Sequence, residues 1–194
     1  MLAPMNAEFS TSATTADAVR SLKLRDADLG DAGVIEAVHY ASRKATYEGR
    51  TESWPPVGPD RAGRVERWRS WLTDPGIECI VGEVDDEILG FCTVRASMDE
   101  DEDSERVAEM PTLYLRPDSW GRGFGRILCS AAVDRARAGG VSELTLWVVE
   151  LNEGARSFYQ AVGFAFDGAT QLDEATEEHL VALRYRTRLV DGEV

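Results

Sequence analysis

Apolar residues recur at helical spacing in two places in the first half of the chain. This spacing predicts two amphipathic helices, the second ending at Asp74-Pro75-Gly76. The apolar faces are formed by Val34, Ile35, Val38 and Ala41 in the first helix and by Val65, Trp68 and Leu72 in the second. A short alternating stretch at residues 22–25 precedes them and predicts an opening strand.

Two runs of β-forming residues, Ile77–Val84 and Glu87–Arg95, flank the pair Asp85-Asp86. This arrangement predicts a β-hairpin with a two-residue turn. In that register Cys79 faces Cys92. A cross-strand disulfide would then be within reach, although two reduced, packed thiols are favoured in a cytoplasmic protein.

The second half alternates strands and helices around a glycine-rich connection. Glycine pairs and a capping asparagine mark the ends of the helices. The predicted elements are a strand at 109–115, a helix ending at Ala138, a strand at 144–149, a helix from Asn152 to Val162 and a closing strand at 179–189. Helices and hairpins in this order predict an α/β fold built on a mixed sheet.

The composition fits one soluble domain. The chain has 194 residues, of which 43% are hydrophobic and 29% charged, and no apolar run reaches the ~18 residues of a membrane span. We predict a flexible leader at residues 1–20, a single domain at 21–194 and a cytoplasmic location. The three cysteines have no CxxC spacing, which argues against a disulfide framework or a metal site.

A net charge of −14 argues against nucleic acid as a partner and favours a cationic small molecule or basic peptide. Six of the seven residues from Asp99 to Glu105 are acidic. One interpretation is a solvated loop, and the other is an electrostatic attractant for a cationic substrate. The sequence leaves both interpretations open.

The connection Gly121-Arg122-Gly123-Phe124-Gly125 follows a strand and opens a helix. Glycines allow close approach of a ligand, and the first N–H groups of a helix are unpaired, so this turn is a candidate anion site. It matches neither the Walker A pattern nor GxGxxG. A purely structural turn is the alternative.

Two longer stretches resemble the GNAT superfamily of acetyl-CoA-dependent N-acetyltransferases. Residues 113–128 resemble its motif A, except that Trp120 stands where the family has Gln or Arg. Residues 146–164 resemble motif B, with its strand, asparagine, Phe-Tyr and Gly-Phe. The resemblance implies a mostly antiparallel mixed sheet of six to seven strands, splayed between the fourth and fifth, with about four helices.

The resemblance also implies site residues. Glu109 would be the general base and Tyr159 the acid that protonates the thiolate, while His39 is a weaker candidate base that we expect on a helix surface. Main-chain groups of Tyr114 and Leu115 would hold the pantetheine arm and the thioester oxygen. The residues implied to bind acetyl-CoA are Leu113, Tyr114, Leu115, Trp120, Gly121, Arg122, Gly123, Phe124, Gly125, Arg126, Asn152, Ser157 and Tyr159.

The function predicted from the resemblance is transfer of an acetyl group from acetyl-CoA to a primary amine of a small molecule or peptide. The amine would attack directly in a ternary complex, without a metal, in a protein that could form a homodimer. The alternative is a non-catalytic acyl-CoA-binding sensor or regulatory module. Such a module would need Gly123 and Gly125 but neither Glu109 nor Tyr159.

Overall fold

The structure of the protein is a computed structural model that describes residues 21–51, 59–173 and 180–189. The predicted leader at residues 1–20 lies outside the described residues. No helix in the described ranges combines the length and hydrophobicity needed to cross a membrane.

Seven strands form one mixed sheet in the order β1-β2-β3-β4-β5-β7-β6. The pair β4–β5 is parallel, and the other neighbouring pairs are antiparallel. The strands are β1 (Lys23–Asp26), β2 (Ile77–Val84), β3 (Glu87–Ala96), β4 (Val107–Leu115), β5 (Glu143–Val149), β6 (Ala165–Asp173) and β7 (Leu180–Arg188). The mixed sheet and its open fourth and fifth strands confirm the predicted fold class.

In the described part of the chain, four α-helices pack on the two faces of this sheet. They are α1 (Ala32–Tyr47), α2 (Arg61–Thr73), α3 (Phe124–Ala138) and α4 (Glu153–Ala161). Neighbouring residues of β3 point to opposite faces, and they belong to different hydrophobic cores. Phe91 packs with the α1–α2 side and Cys92 with the α3–α4 side. The sheet therefore separates two cores, each closed by a pair of helices.

Strand β6 was not predicted, although it pairs with β7 along the edge of the sheet. Its sequence, AFDGATQLD, lacks a sustained alternation of apolar residues. Gly168 has φ +100°, and the pairing register shifts between Phe166 and Thr170. An exposed, irregular edge strand carries little of the periodic pattern by which strands are predicted.

The predicted hairpin turn forms, with φ of 51° at Asp85 and 64° at Asp86. A register shift after Gly82, however, pairs Cys79 with Thr93 and Ile80 with Cys92. The prediction that the two cysteines face each other is therefore wrong. They point to opposite faces of the sheet, and all three cysteines are free.

Candidate functional site

The sheet opens between its two parallel strands. Strands β4 and β5 pair only from Val107 with Glu143 to Glu109 with Thr145. Immediately afterwards Met110 and Pro111 form a bulge opposite β3, and proline has no N–H to donate to a neighbouring strand. The remaining part of β4 stays with β3 and leaves β5, so a gap opens between the two strands.

A cleft of about 1330 Å³ occupies this gap and the space around it. Its walls come from β4 to β7, the glycine-rich turn, α4, the second half of α1 and the residues just after that helix. The described side chains and glycines on the walls include Ser42, Arg43, Thr46, Tyr47, Arg50, Met110, Pro111, Leu113, Tyr114, Leu115, Trp120, Gly121, Gly123, Gly125, Arg126, Trp147, Asn152, Phe158 and Tyr159. A cleft of this size takes a ligand of coenzyme dimensions.

The glycine-rich turn presents a row of main-chain N–H groups at the mouth of the gap. Gly121 has φ +71° and Gly123 φ +91°, a left-handed conformation that favours glycine. Among the hydrogen bonds of the described residues, none is donated by the N–H groups of residues 121–125, whereas Arg126 already donates to the carbonyl of Gly123. The turn therefore has the donors that an anion such as a diphosphate requires.

Two further contacts hold the turn against β4. A Cβ at Gly125 would lie 3.3 Å from Cδ1 of Leu115, so glycine permits the close approach of α3 to the strand. The indole N–H of Trp120 donates to the Leu115 carbonyl at 3.1 Å. Trp120, which departs from the family's usual residue, therefore fixes the path from β4 into the turn.

The main chain of β4 supplies polar groups to the gap. The N–H of Arg116 donates to the Leu89 carbonyl on β3 at 2.8 Å, and such groups alternate along an antiparallel strand. By that alternation the N–H of Tyr114 points towards β3, whereas those of Leu113 and Leu115 point towards the gap. The ring of Tyr114 still lines the cleft.

Tyr159 lies on α4, is 8% exposed and lines the cleft. Burial is the main cause that raises the pKa of its phenol far above the usual value, and the nearby Cys129 and Tyr114 add to this effect. The hydroxyl is therefore protonated throughout the physiological pH range. A protonated phenol in this position can donate a proton or a hydrogen bond into the cleft.

Glu109 is buried at the last residue of the β4–β5 pairing. Its carboxylate lies 2.8 Å from the guanidinium of Arg95, which also lies over the ring of Trp71. Burial raises the pKa of Glu109, and the charge of Arg95 opposes that rise. Glu109 does not itself line the cleft, but the next two residues of the strand do.

The other residues implied by the resemblance are divided between the cleft and its surroundings. Asn152 lines the cleft and caps α4, accepting from the N–H of Ala155 at 3.1 Å. Ser157 is exposed on α4 and is not on the cleft wall. The side chains of Arg122 and Phe124 line a separate cavity of about 390 Å³ beside the β2–β3 turn, so only their main-chain groups face the anion site.

His39 is not the surface residue that we expected. Its ring contacts Trp68 and Tyr114, with centroids 5.4 and 4.7 Å away. Burial, together with the positive charges of Arg43 and Arg64, lowers the pKa of His39 to about 3. The imidazole is neutral at physiological pH, and a pKa this low makes it a weak base.

Part of the acidic segment 99–105 is anchored rather than solvated. Arg184 is 5% exposed and donates to Asp99 at 3.0 Å and to Asp101 at 2.7 Å. Asp99 also accepts from the indole N–H of Trp147 at 3.1 Å. Arg184 and Asp99 therefore hold Trp147, a cleft residue, in place. Arg184 also neutralises part of the negative charge of segment 99–105, which we had considered as an electrostatic attractant for a cationic substrate.

The resemblance implies that aromatic residues of the helical pair, Tyr47 among them, form one wall of the pocket, and Tyr47 does line the cleft. The sequence analysis missed two arginines beside it. Arg43, Tyr47 and Arg50 line the cleft. The spacing of four residues places Arg43 and Tyr47 on one face of α1, and Arg50 follows the end of that helix. This polar face lies opposite the apolar face that was used to predict the helix. Its polar residues were the feature of the sequence that could have indicated a role for α1 in the cleft. Within the described residues, no cluster of three or more His, Cys, Asp or Glu is arranged to hold a metal ion.

A parallel strand pair that splits beside a glycine-rich, amide-lined turn defines a class of coenzyme-binding transferase folds. Residues 43–164 match the family model described as "Acetyltransferase (GNAT) family", which is more than half of the chain. The protein belongs to the GNAT family.

Two similar sequences and one solved structure illustrate the relationship. A mycothiol acetyltransferase from Sanguibacter keddieii is 30% identical over 68% of this chain and 41% of its own length. The peptidyl-lysine N-acetyltransferase YjaB from Escherichia coli is 40% identical over 34% of this chain and 41% of its own. This chain therefore spans about two fifths of each of these relatives.

Among solved structures, the paia N-acetyltransferase from Thermoplasma acidophilum, in complex with coenzyme A, aligns with a TM-score of 0.66. The alignment covers 87% of this chain and 99% of that one, at 21% identity. This likeness concerns the fold.

Proposed function

We propose that the protein is an N-acetyltransferase that moves the acetyl group of acetyl-CoA to a primary amine by direct attack in a ternary complex. The proposal rests on the main-chain N–H groups of residues 121–125, which lie at the mouth of the β4–β5 gap and donate no hydrogen bond to a described residue. The glycine-rich turn would hold the diphosphate, and the gap would hold the pantetheine arm. The solved relative with coenzyme A supports this assignment.

Acetyl-CoA supplies the activated acetyl group, and the protein must supply a neutral amine and a proton for the leaving thiolate. An alkyl ammonium has a pKa of about 10.4, so a base is needed near neutral pH. Glu109, made more basic by burial, would accept the amine proton through water, because it does not line the cleft.

The thioester oxygen would accept a hydrogen bond from a main-chain N–H of β4, at Leu113 or Leu115. One preorganised donor of this kind stabilises a developing oxyanion. Tyr159, held protonated by its burial, would donate its proton to the thiolate. Asn152 would bind the pantetheine arm while it caps α4.

Two measurements on the full chain test the proposal. Calorimetry with coenzyme A is expected to show one site, and free-thiol release from acetyl-CoA is expected to depend on an amine in a panel of primary amines. No heat with coenzyme A would overturn the whole assignment. Tight binding with no transfer to any amine would overturn catalysis and leave an acyl-CoA-binding module.

A further inference from the structure

Trp147 lies on the face of the sheet opposite to the proposed diphosphate site. Its neighbours on β5, Leu146 and Val148, belong to the core closed by α3 and α4. Side chains alternate along a strand, so Trp147 points to the face covered by α1 and α2. The glycine-rich turn leads into α3 on the other face, where Phe124 and Leu128 belong to the α3–α4 core. A ligand group that contacts Trp147 therefore lies across the sheet from the diphosphate.

The proposed base shares this face with Trp147. Ala108 and Met110 belong to the α3–α4 core, so Glu109 points to the α1–α2 face. Glu109 pairs with Thr145, and Trp147 follows Thr145 by two residues, about 7 Å along β5. Trp147 is thus the first β5 side chain beyond Glu109 on this face, and it lines the cleft. An amine within reach of Glu109 through water would place its substituent beside Trp147.

Trp147 presents a fixed surface to the cleft. Its indole N–H donates to both carboxylate oxygens of Asp99, at 3.1 and 3.2 Å. The guanidinium of Arg184 lies over the ring, 5.6 Å from its centroid. These contacts occupy the N–H edge and one side of the indole, while the residue still lines the cleft. A side chain that is already ordered binds a ligand at a low entropic cost.

Two more aromatic rings line the cleft on the α1–α2 face. Tyr114 of β4 packs against the α1–α2 core, and the ring of His39 lies 4.7 Å from its own. Tyr47 comes from α1, and the guanidinium of Arg43 lies over its ring at 5.7 Å. The cleft therefore has one aromatic ring from each of β4, β5 and α1 on the side where the base lies.

The charge of this side disfavours an acceptor with several positive groups. The described residues of the cleft wall include Arg43 and Arg50 but no aspartate or glutamate. Glu109 can balance one ammonium group at the reacting end. A second ammonium group would meet positive charge on the wall, and like charges repel.

We propose that Trp147 determines acceptor specificity, and that the acceptor is a primary amine with an aromatic ring on its carbon chain, an arylalkylamine. This inference rests on the proposed acetyl transfer. The nitrogen would form a bond to the thioester carbon as the carbon–sulfur bond breaks. The amine proton would pass through water to Glu109, and the thiolate would take its proton from Tyr159.

The acceptor's ring would lie against the indole of Trp147, since stacked and edge-to-face aromatic pairs are stabilised beyond the area that they bury. This replaces the polycationic acceptor, which the net charge suggested, with an amine that carries a single charge. It also gives Asp99 and Arg184 a role in the site, because they fix the ring that receives the acceptor.

A panel of acceptors separates the effect of the aromatic ring from those of size and charge. Steady-state kinetics would compare phenethylamine, cyclohexylethylamine, butylamine and spermidine at saturating acetyl-CoA. For the wild type, kcat/KM is expected to be about 2- to 10-fold higher for phenethylamine than for cyclohexylethylamine, the range for an aromatic pair. It should be about tenfold or more higher than for butylamine, which buries less apolar area, and spermidine should be the poorest acceptor.

Trp147→Leu removes the ring and keeps an apolar side chain. It should lower kcat/KM for phenethylamine about tenfold, mainly by raising the KM for the amine, and should lower that for butylamine less. The KM for acetyl-CoA should not change. Trp147→Phe should retain part of the aromatic preference, and it keeps the test informative if the leucine variant folds poorly.

Phe166→Leu is the matched control. Phe166 is an exposed aromatic residue of the same sheet, its ring lies beside Tyr185, and it is outside the described cleft wall. The substitution should leave the preference for phenethylamine and both KM values as in the wild type. Calorimetry with phenethylamine on the coenzyme A complex adds a readout without turnover. Heat is expected for the wild type and Phe166→Leu, and much less for Trp147→Leu.

Three results would overturn the inference. The first is a wild type that uses butylamine or spermidine better than phenethylamine. The second is a Trp147→Leu variant that keeps the aromatic preference or loses turnover of phenethylamine and butylamine equally. The third is a change confined to the KM for acetyl-CoA, which would make Trp147 a coenzyme residue. Transfer without an aromatic preference removes this inference alone, whereas failure of coenzyme A to bind removes the proposed function as well.

Discussion

At the residue scale, burial separates the two groups assigned to proton transfer. It raises the pKa of both Glu109 and Tyr159, but the consequences differ. A raised pKa makes the carboxylate a better base, whereas it keeps the phenol protonated. The same physical cause therefore strengthens Glu109 as a base, whereas it keeps a proton on Tyr159 and holds that proton more tightly.

Tyr159→Phe tests the donor. The substitution removes the hydroxyl and keeps the ring that packs against Phe158 and Phe164. We expect kcat to fall about 100-fold, the lower range for general acid catalysis, with little change in stability or in coenzyme affinity. An unchanged kcat under conditions where chemistry limits the rate would contradict the role.

The ion pair between Glu109 and Arg95 predicts how kcat/KM depends on pH. A base works when deprotonated, so kcat/KM should fall as the pH drops through the raised pKa of Glu109. Arg95 holds that pKa down, so Arg95→Met should move the acid limb of the pH–rate profile to higher pH. Glu109→Gln should lower the rate and abolish the limb.

The control for this pair is Arg69→Met, which removes an arginine from an exposed pair with Glu66 on α2. It should leave the profile in place. An acid limb that stays at the same pH in Arg95→Met would remove Glu109 from the mechanism, since a purely structural ion pair would alter stability without moving the limb.

At the element scale, the path of β4 creates the site. The bulge at Met110 and Pro111 coincides with the end of pairing to β5. The first part of β4 therefore pairs with β3 on one side and with β5 on the other, whereas its second part pairs only with β3 and has one free edge. Unpaired main-chain groups at such an edge are available to a ligand.

The glycine-rich turn provides a comparison between the two ends of α3. Gly123 has φ +91° and Gly140, after the other end, φ +82°. Alanine at either position should cost about 1–2 kcal/mol for the left-handed conformation. Only Gly123→Ala should also weaken coenzyme A binding, by about tenfold or more, because it displaces the N–H groups of the turn.

Calorimetry and urea unfolding on both variants separate the two effects. Equal losses of stability with a loss of affinity only in Gly123→Ala are the expected result. Equal affinities would show that the turn does not bind the coenzyme.

At the scale of the whole molecule, acidic residues are held in place by a few arginines. Arg184 links the segment after β3 to β6 and β7 through Asp99, Asp101 and Asp167. Hydrogen bonds from Arg184 lower the pKa of Asp101. Burial raises the pKa of Asp167, but hydrogen bonds from the N–H of Ala169 and from Arg184 lower it further, so that the pKa is lowered overall. Carboxylates of this kind stabilise the fold above their unfolded pKa, and that stability is lost as the pH falls.

We therefore expect the free energy of unfolding to decrease as the pH is lowered from 5 to 3, through and below the unfolded aspartate pKa of about 3.9. Arg184→Met should lower stability at pH 7 by about 3 kcal/mol, because it leaves the partly buried carboxylate of Asp99 without its cation. The variant should lose less on acidification than the wild type.

Arg137→Met is the control, since Arg137 pairs with Asp134 at an exposed position of α3. It should change stability by less than about 1 kcal/mol. Urea unfolding at several pH values, followed by circular dichroism, measures all three proteins. If the free energies of unfolding of the wild type and of Arg184→Met changed with pH in parallel, the proposed stabilisation of the neighbouring aspartates by Arg184 would be contradicted.

Much of this protein could be predicted from local sequence. Strands and helices with periodic apolar faces, the Asp85-Asp86 turn, the cap at Asn152 and the glycine-rich turn are all features of a few consecutive residues, and the structure has each of them. The irregular edge strand β6 lacked such a pattern.

Only the tertiary structure decided the rest. A single bulge after Gly82 turned Cys79 away from Cys92, and the ion pair between Arg184 and Asp99 joins residues 85 positions apart. The α1 wall, with Arg43 in it, likewise faces strands that lie far along the chain. Local patterns reflect the energy of neighbouring residues, whereas register and long-range contacts depend on how distant elements pack, and this packing forms the cleft.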